Sequence, residues 1–234
     1  MIDQNFLKQL AIKYQTTFKN TLREYLQNLF LSYFYQEKQS EKFFFKGGTA
    51  LRIVFRSPRF SEDLDFNLTN GFNLFENILA AVLSKIEKEN SKTEIIESKT
   101  TTGGFFSIYK TSLYAEAIEV KIQVSKRKSQ AIKGERVVIV SDFAPSYPLQ
   151  ILEKEVLFSE KIEAFLTRAK NRDFFDLYFI LRSGAKLPII YQKKREIIKI
   201  IKSHSGNFSE LKAYLPRNFW PIVKNLKNNL LSQL

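Results

Sequence analysis

The spacing of apolar residues divides this chain into a helical start, a central region of strands and a helical end. Apolar residues three and four positions apart predict amphipathic helices over residues 4–37 and 72–89. Between residues 93 and 140 apolar and polar residues alternate instead, which predicts four strands, the first two joined by a hairpin turn at Gly103-Gly104. Helical spacing returns in the last third, so the pattern indicates a protein of mixed α/β class.

A loop with two prolines at residues 142–149 separates the strands from the helical end, and we place the domain boundary there. Residues 1–149 are predicted to form an α/β domain. Residues 150–234 are predicted to form a helical bundle, on which the N-terminal helices of the α/β domain can pack. In this bundle Ser159 is expected to cap the first helix, and Gly184 to end the second.

One short segment of the predicted α/β domain contains candidate ligand-binding residues as well as predicted strands and a helix. An apolar run at residues 43–45 predicts a strand that ends at the pair Gly47-Gly48, and a short helical pattern comes next. In the sequence Asp63-Leu64-Asp65-Phe66, the two-residue period of a strand puts both carboxylates on one face. The two apolar side chains then point to the opposite face, where a core can bury them.

This combination favours the binding of a cation and a phosphate. Two carboxylates on one face repel each other, so a fold holds them together mainly to bind a divalent cation. Glycines at a helix start leave backbone N–H groups free beside the positive end of the helix dipole, which suits a phosphate. We therefore predict Mg²⁺ or Mn²⁺ at Asp63 and Asp65, and a nucleoside triphosphate (NTP) at Gly47 and Gly48. The alternative is an ordinary acidic strand and a tight turn that needs glycine.

Two blocks of sequence resemble the AbiEii/AbiGii-type toxin nucleotidyltransferases, a family within the polymerase β-like nucleotidyltransferase superfamily. The resemblance runs from about Phe43 to Arg182. The first block begins with Gly-Gly-Thr-Ala-Leu at residues 47–51 and continues with Arg59, Ser61, Asp63, Asp65 and Phe66. The second block comprises Lys161, Ala164, Arg168, Lys170, Arg172, Asp173, Phe174, Asp176 and Leu177. Two blocks in the family's order are far more specific than either block alone.

The resemblance implies a polymerase β-like core with a mixed, twisted sheet, joined to the C-terminal helical bundle. It also implies an enzyme that transfers a nucleoside monophosphate from an NTP to an acceptor, as the toxin of a toxin–antitoxin or phage-defence system with an antitoxin partner. Some relatives modify the 3′ end of tRNA, so RNA is the expected acceptor. The alternatives are a non-catalytic nucleotide or nucleic-acid binder and a transferase acting on a small molecule such as an antibiotic.

The resemblance also implies roles for residues outside the acidic pair. Lys161 is expected to bind the triphosphate and stabilise the departing pyrophosphate, with Arg168 and Ser61 as further nucleotide-binding residues. Thr49 can either cap its helix or reach a phosphate oxygen. Asp173 is a candidate catalytic residue, with the equal alternative that it supports its helix or pairs with a nearby arginine.

The third acid of polymerase β-like enzymes, which orients or deprotonates the attacking hydroxyl, is missing from its usual strand. The chain has Gln123 where relatives often carry an acid, and an amide cannot act as a base. Glu119 shares the predicted face of Gln123, but it lies about 13 Å away along the strand, so it could replace the acid only through a bulge or a shifted register.

Among the compositional features, the net charge indicates what kind of molecule the protein binds. The 234 residues carry a formal net charge of +13, which attracts polyanions such as RNA, although lysine-rich surfaces are often only solvated. The basic clusters at residues 126–128 and 193–195 have the same two interpretations. With no cysteine and one histidine, thiol chemistry and multi-histidine metal sites are excluded. Lacking a signal peptide or a membrane-length apolar run, the chain is expected to be soluble and cytoplasmic.

Overall fold

A computed structural model of the chain describes residues 2–68, 72–89, 91–126 and 133–234. These residues form two compact units. The first unit consists of Met1–Arg56 and Phe60–Leu152, and the second consists of Ser57–Arg59 and Glu153–Leu234. The division after Leu152 lies three residues beyond the boundary indicated by the sequence.

The first unit combines four helices with a seven-stranded sheet. Its helices are α1 (Gln4–Lys13), α2 (Phe18–Phe34), α3 (Gly47–Ile53) and α4 (Phe72–Glu87), and a short 3₁₀ helix spans Ser40–Lys42. Its strands are β1 (Phe43–Lys46), β2 (Asp63–Leu68), β3 (Lys92–Thr101), β4 (Gly104–Leu113), β5 (Glu116–Lys126), β6 (Gly134–Ile139) and β7 (Tyr147–Leu152).

The sheet is mixed, with strand order β3-β4-β5-β2-β1-β7-β6. Strand β2 pairs antiparallel with β1 and parallel with β5, so it lies at the centre of the sheet. Strands β1 and β7 are also parallel, whereas β3-β4, β4-β5 and β6-β7 are antiparallel. The predicted mixed α/β class is therefore confirmed, and the acidic segment lies on a central strand.

One face of this sheet is closed by a core rich in phenylalanine. The rings of Phe34, Phe43, Phe66 and Phe75 contact one another, with centroid distances between 5.1 and 6.4 Å. All four side chains are completely buried. Because Phe66 belongs to β2, burial of this face fixes the rotation of the strand and leaves its acidic residues on the opposite face.

The second unit is helical. Its helices are α5 (Lys154–Arg168), α6 (Asn171–Arg182), α7 (Pro188–Gln192), α8 (Lys194–Ser203), α9 (Trp220–Lys224) and α10 (Leu226–Leu231), with 3₁₀ turns at Ser209–Tyr214 and Arg217–Phe219. Ala169 separates α5 from α6 in a left-handed conformation, with φ of 44°. Gly184 comes after the end of α6 with φ of 72°, as expected for a glycine that terminates a helix.

Two local expectations need correction. Ser159 lies inside α5 rather than at its start, because the helix begins five residues earlier, at Lys154. The expected loop at 142–149 includes the first residues of β7, although Pro148 lacks an N–H donor. Pro148 lies opposite Val138 in the pair with β6, and the pairing of β7 with β1 is found at Ile151, opposite Phe45 and three residues beyond the proline. Within the described residues, no helix has both the length and the apolar character needed to cross a membrane.

Candidate functional site

Asp63 and Asp65 begin the central strand β2 and point to the face of the sheet opposite the phenylalanine core. Leu64, between the two aspartates, and Phe66, directly after Asp65, are completely buried, whereas both aspartates are partly exposed. The predicted alternation therefore appears in the structure, with two carboxylates one same-face step apart on a strand.

Lysine and glutamine side chains flank the two aspartates on the neighbouring strands. Lys121 of β5 lies opposite Asp63, and Gln123 of β5 lies opposite Asp65. On the other side, Lys46 of β1 lies opposite Asp65. Neighbouring residues in a sheet ladder are close enough to interact, so the two lysines offset the repulsion between the carboxylates. This face thus carries two carboxylates and two ammonium groups on neighbouring strands.

The carboxylate of Asp65 packs directly against Gly47. A Cβ atom at Gly47 would lie 2.1 Å from Asp65 Oδ2 and 2.9 Å from its Cβ and Cγ atoms. Gly47 also has φ of +84°, a left-handed conformation that side chains with a Cβ rarely adopt. Glycine is therefore required at the start of α3 for two independent reasons, and this position fixes where the Asp65 carboxylate lies.

The other nucleotide-binding candidates in this segment have structural contacts in the first unit. The hydroxyl of Thr49 is buried and donates a hydrogen bond to the main-chain carbonyl of Asp63, which joins α3 to β2. Gly48 is buried in the first turn of α3. The carbonyl of Ser61 accepts a hydrogen bond of 2.9 Å from Gln27 Nε2. These contacts hold the turn and the strand together, and the proposed roles at phosphate remain predictions.

In the second unit, Lys161 belongs to a buried cluster centred on Asp176. Arg59 donates to both carboxylate oxygens of Asp176, from Nε at 2.8 Å and from Nη2 at 3.0 Å. Lys161 Nζ donates to Asp176 Oδ2 at 2.9 Å. The exposed fractions are 5% for Arg59, 1% for Asp176 and 12% for Lys161. Lys161 is therefore held in a fixed position, unlike a lysine on a solvated basic stripe.

The cluster carries two positive charges and one negative charge. Burial by itself raises the pKa of Asp176, but the charges of Arg59 and Lys161 outweigh it and lower this pKa to about 2. Asp176 is consequently ionised at neutral pH and balances one of its two cations. Lys161 is the more exposed cation of the cluster, and its side chain is 12% exposed.

Asp173 and Arg168 form a separate pair at the junction of α5 and α6. Arg168 donates to Asp173 Oδ2 from Nε at 2.9 Å and to Oδ1 from Nη2 at 2.7 Å. The backbone N–H of Lys170 donates to Asp173 Oδ2 at 3.0 Å. The Asp173 side chain is fully buried, so these contacts support the helix start, which is the structural alternative to a catalytic role for this residue. Its catalytic role and the nucleotide-binding role of Arg168 stay predictions.

Three residues with a place in these contacts had no role in the sequence-based prediction. Arg59 belongs to the first of the two sequence blocks that resemble the family, and Asp176 belongs to the second. A charged residue close to apolar positions in each block was the feature of the sequence that could have indicated a buried ion pair. Lys121 precedes Gln123 by two residues, and only the register of β2 and β5 reveals that it neighbours Asp63. Glu119 is exposed farther along β5, where the regular register shows no bulge that would bring it toward Asp65.

The donor set suits a cation that is shared with a substrate. Among the residues that the structure describes, no three His, Cys, Asp or Glu side chains gather into a group that could hold a metal ion. Two carboxylates nevertheless fit Mg²⁺, which keeps several waters and commonly shares its coordination sphere with substrate phosphates. The close packing of Asp65 on Gly47 brings one of these two carboxylates next to the glycine turn.

Comparison with known proteins identifies relatives at the level of family and fold. The family model described as "Nucleotidyl transferase AbiEii toxin, Type IV TA system" matches residues 29–218. A comparison with curated protein sequences gives no match.

Solved structures with a similar fold include two from bacterial pathogens. The nucleotidyltransferase toxin MenT4 of Mycobacterium tuberculosis has a TM-score of 0.66 at 14% identity, covering 100% of this chain and 88% of that one. The JHP933 protein of Helicobacter pylori has a TM-score of 0.54 at 18% identity, covering 93% of this chain and 96% of that one. At these identities the similarity establishes the fold.

The contact between Gly47 and Asp65 predicts that a single methyl group will disturb the acidic pair. Gly47→Ala should displace the Asp65 carboxylate and also cost about 1 kcal/mol of backbone strain. The matched control is Gly184→Ala, because Gly184 also has a positive φ but has no atom within 4 Å of the added Cβ. Thermal unfolding measures the strain in both variants, and Mn²⁺ binding by calorimetry should weaken only in Gly47→Ala. Equal metal binding in the two variants would contradict this account.

The cluster around Asp176 predicts a pH-dependent contribution to stability. At pH 7, Asp176→Asn leaves two buried cations without their anion and should lower the unfolding free energy by about 3–5 kcal/mol. Because the folded-state pKa lies below that of an unfolded aspartate, this stabilisation is complete above about pH 4 and is lost as the pH falls toward 2.

Urea unfolding between pH 7 and pH 2.5 tests this prediction, with Glu163→Gln on the exposed surface of α5 as the control. The difference between wild type and Asp176→Asn should narrow below pH 4, whereas Glu163→Gln should behave as wild type throughout. A difference that stays constant down to pH 2.5 would show that the charge of Asp176 is not what stabilises the cluster.

Proposed function

The chain belongs to the AbiEii nucleotidyltransferase toxin family of type IV toxin–antitoxin systems, and on this premise we propose that it transfers a nucleoside monophosphate from an NTP to RNA. The observation that carries the proposal is the pair Asp63 and Asp65 on one sheet face, with Asp65 packed on the glycine turn. The proposed acceptor is the 3′ end of an RNA such as tRNA. The protein would act in the cytoplasm, where both substrates occur, as a toxin in phage defence whose partner is an antitoxin.

The acidic pair is the proposed site for a divalent cation, Mg²⁺ or Mn²⁺. Asp63 and Asp65 would supply two carboxylate ligands, and phosphate oxygens of the NTP would complete the coordination with water. When bound, such a cation neutralises negative charge on the triphosphate and on the reacting phosphoryl group. Gly47 and Gly48 would lie beside the phosphates, because their lack of side chains lets a ligand approach the main chain.

Lys161 is the proposed ligand for the departing pyrophosphate. Its ammonium group is held by Asp176, so little conformational entropy is lost when a phosphate binds. The side chain of Lys161 is also partly exposed, so its ammonium group can be reached by an anion. Because negative charge on the leaving group grows during the reaction, this contact would stabilise the transition state more than the bound substrate.

Transfer requires that a ribose hydroxyl of the acceptor attack the α-phosphorus. The new bond forms between the hydroxyl oxygen and this phosphorus, while the bond from the phosphorus to the bridging oxygen breaks and pyrophosphate leaves with the electron pair. Gln123, which lies opposite Asp65, can orient the hydroxyl by hydrogen bonding but cannot accept its proton. We propose that the proton passes to solvent water, which implies a slower reaction than with a carboxylate at this position.

The distribution of charge supports a nucleic acid as the acceptor. The second unit holds 17 of the 37 lysines and arginines but only 8 of the 24 aspartates and glutamates, so +9 of the total charge of +13 belongs to it. A cavity of about 330 Å³ in this unit is lined by three lysines, Lys212, Lys224 and Lys227. The exposed lysines of α8 extend the positive surface of the unit, whereas residues 127–132, which include part of the other predicted cluster, lie outside the described residues.

The proposed chemistry predicts that the acidic pair is needed for transfer but not for folding. Asp63→Asn/Asp65→Asn should abolish incorporation of labelled nucleotide into bulk tRNA and remove growth inhibition on expression. Its thermal stability without metal should stay close to that of wild type, because the loss of repulsion between the two carboxylates is offset by the loss of their attraction to Lys46 and Lys121. The control is Glu119→Gln, which neutralises an exposed acid on β5 and should retain transfer. Retained activity in the double variant would refute the proposed site.

A second prediction separates turnover from RNA binding. Lys161→Met should lower the rate of transfer by about two to three orders of magnitude through lost transition-state stabilisation, with RNA affinity nearly unchanged. Lys212→Ala/Lys224→Ala should instead weaken RNA binding, and the slope of log affinity against log salt should become shallower by about 1.4 if both lysines contact phosphates of a single strand.

The control for charge is Lys8→Ala/Lys19→Ala, which removes two exposed lysines from the helical start of the first unit. It lowers the net charge by the same amount and should leave the salt slope close to that of wild type. If the two double variants change RNA affinity equally, the attraction is a diffuse effect of net charge. Wild-type protein that binds RNA but transfers none of the four nucleotides would favour the alternative of a non-catalytic binder.

A further inference from the structure

The face of the sheet that carries Asp65 also carries an aromatic residue in the same cross-strand row. From β3 to β1, this row consists of Lys99, Phe106, Gln123, Asp65 and Lys46. Each residue lies opposite the next one in the sheet ladder, so all five belong to one face. The row therefore places a phenyl ring beside Gln123 and two strands away from Asp65.

Phe106 differs from the other phenylalanines of the sheet in its surroundings. Phe105, the preceding residue, points to the opposite face and is buried in the aromatic core. Phe106 is partly exposed, among polar and charged residues of the open face such as Lys121 and Gln123. A single exposed ring is common on protein surfaces and needs no function by itself. The position of this ring in the row is what distinguishes it.

The ammonium group of Lys99 lies close to the Phe106 ring. Lys99 Nζ lies 5.3 Å from the centroid of the Phe106 ring and donates to Glu97 Oε1 at 2.5 Å, and the Lys99 side chain is 56% exposed, so a phosphate would compete with Glu97 for this ammonium group. An exposed aromatic ring beside an ammonium group matches the pattern of single-stranded nucleic-acid sites, where a base stacks on the ring and the cation contacts a phosphate. Sheet faces that bind single-stranded RNA use aromatic residues in the same way.

On the basis of the proposed transferase function, we propose that Phe106 stacks against the terminal base of the acceptor RNA strand and that Lys99 contacts a phosphate of that strand. Neighbouring strands lie about 4.8 Å apart, so Phe106 is about 5 Å from Gln123 and about 10 Å from Asp65. A base on Phe106 then has its own ribose beside Gln123, and the attacking hydroxyl faces the acidic pair. Phe106 thus positions the acceptor and takes no part in bond making.

The order of the strands assigns this ring to the acceptor and not to the NTP. Asp65 lies between β5 on one side and β1 on the other. The glycine turn that is proposed to hold the triphosphate comes directly after β1, so the phosphates of the NTP occupy that side. Strands β5 and β4, with Gln123 and Phe106, remain on the opposite side of the acidic pair. This is the side from which an attacking hydroxyl would approach the α-phosphorus opposite the leaving pyrophosphate.

The test compares Phe106→Ala with Ile108→Ala. Ile108 lies two residues farther along β4, on the same face and also partly exposed, so its removal loses apolar surface without loss of an aromatic ring. In steady-state assays with bulk tRNA, Phe106→Ala should raise the KM for RNA about tenfold or more and leave the KM for NTP unchanged. Phe106→Trp should restore the wild-type value, and Ile108→Ala should change neither constant by more than about twofold.

Binding without NTP supplies a readout that does not depend on turnover. A fluorescein-labelled single-stranded RNA of 12 nucleotides is titrated against each variant, and Phe106→Ala should weaken its affinity by a similar factor. Trp220 is the only tryptophan of the chain, so Phe106→Trp in a Trp220→Phe background carries a single indole at the proposed site. Its fluorescence should be quenched on addition of this RNA if a base stacks on it, and Trp220→Phe alone serves as the folding control.

The outcomes distinguish this inference from the proposed function. If wild-type protein transfers nucleotides and the Phe106→Ala and Ile108→Ala variants behave alike, the stacking site is refuted while the transferase function stands. If Phe106→Ala raises the KM for NTP and leaves the KM for RNA unchanged, the ring holds the base of the NTP and the acceptor assignment is wrong. If wild-type protein transfers nothing, the transferase function fails, and the RNA titration alone decides whether Phe106 binds a strand.

Discussion

The close packing of Asp65 on Gly47 is the constraint on which the rest of the site depends. A carboxylate can approach the main chain this closely only where there is no Cβ atom, and the left-handed conformation of Gly47 excludes other residues for a second reason. The hydroxyl of Thr49 adds a second link, because it joins the same short helix to the carbonyl of Asp63. The glycine turn and the acidic strand therefore behave as one rigid piece, which is what preorganised binding of a metal and a phosphate requires.

Charge is arranged in different ways in the two units. In the first unit, two carboxylates share a sheet face with Lys46 and Lys121 on the adjoining strands, so the acidic pair is balanced before any cation binds. In the second unit, the single carboxylate of Asp176 forms ion pairs with two cations, Arg59 and Lys161. In both units, therefore, the carboxylates lie beside basic side chains.

The sequence predicted local features of this site better than its tertiary ones. Alternation of apolar and polar residues was enough to place Asp63 and Asp65 on one face, because the buried Leu64 and Phe66 fix the rotation of the strand. The neighbours of the aspartates depend on how β2 pairs with β5, more than fifty residues later, and no local pattern specifies that register. Helical periodicity likewise predicted the helix face on which Lys161 lies but not its ion pair with Asp176. The start of β7 was assigned to a loop because the two prolines at residues 142–149 are typical of loops.

Gln123 determines what kind of catalysis this geometry allows. An amide opposite Asp65 keeps the hydrogen-bonding position of a third acid but removes one negative charge from a face that already holds two. The repulsion that a third carboxylate would add is therefore absent. General-base catalysis typically contributes a factor of about 10² to 10⁴, so under the proposed function the lack of a base at this position would slow transfer without abolishing it. Orientation of the attacking hydroxyl and stabilisation of the leaving group would then have to supply most of the rate enhancement, and precise placement of both substrates would matter more than in an enzyme with a complete acidic triad.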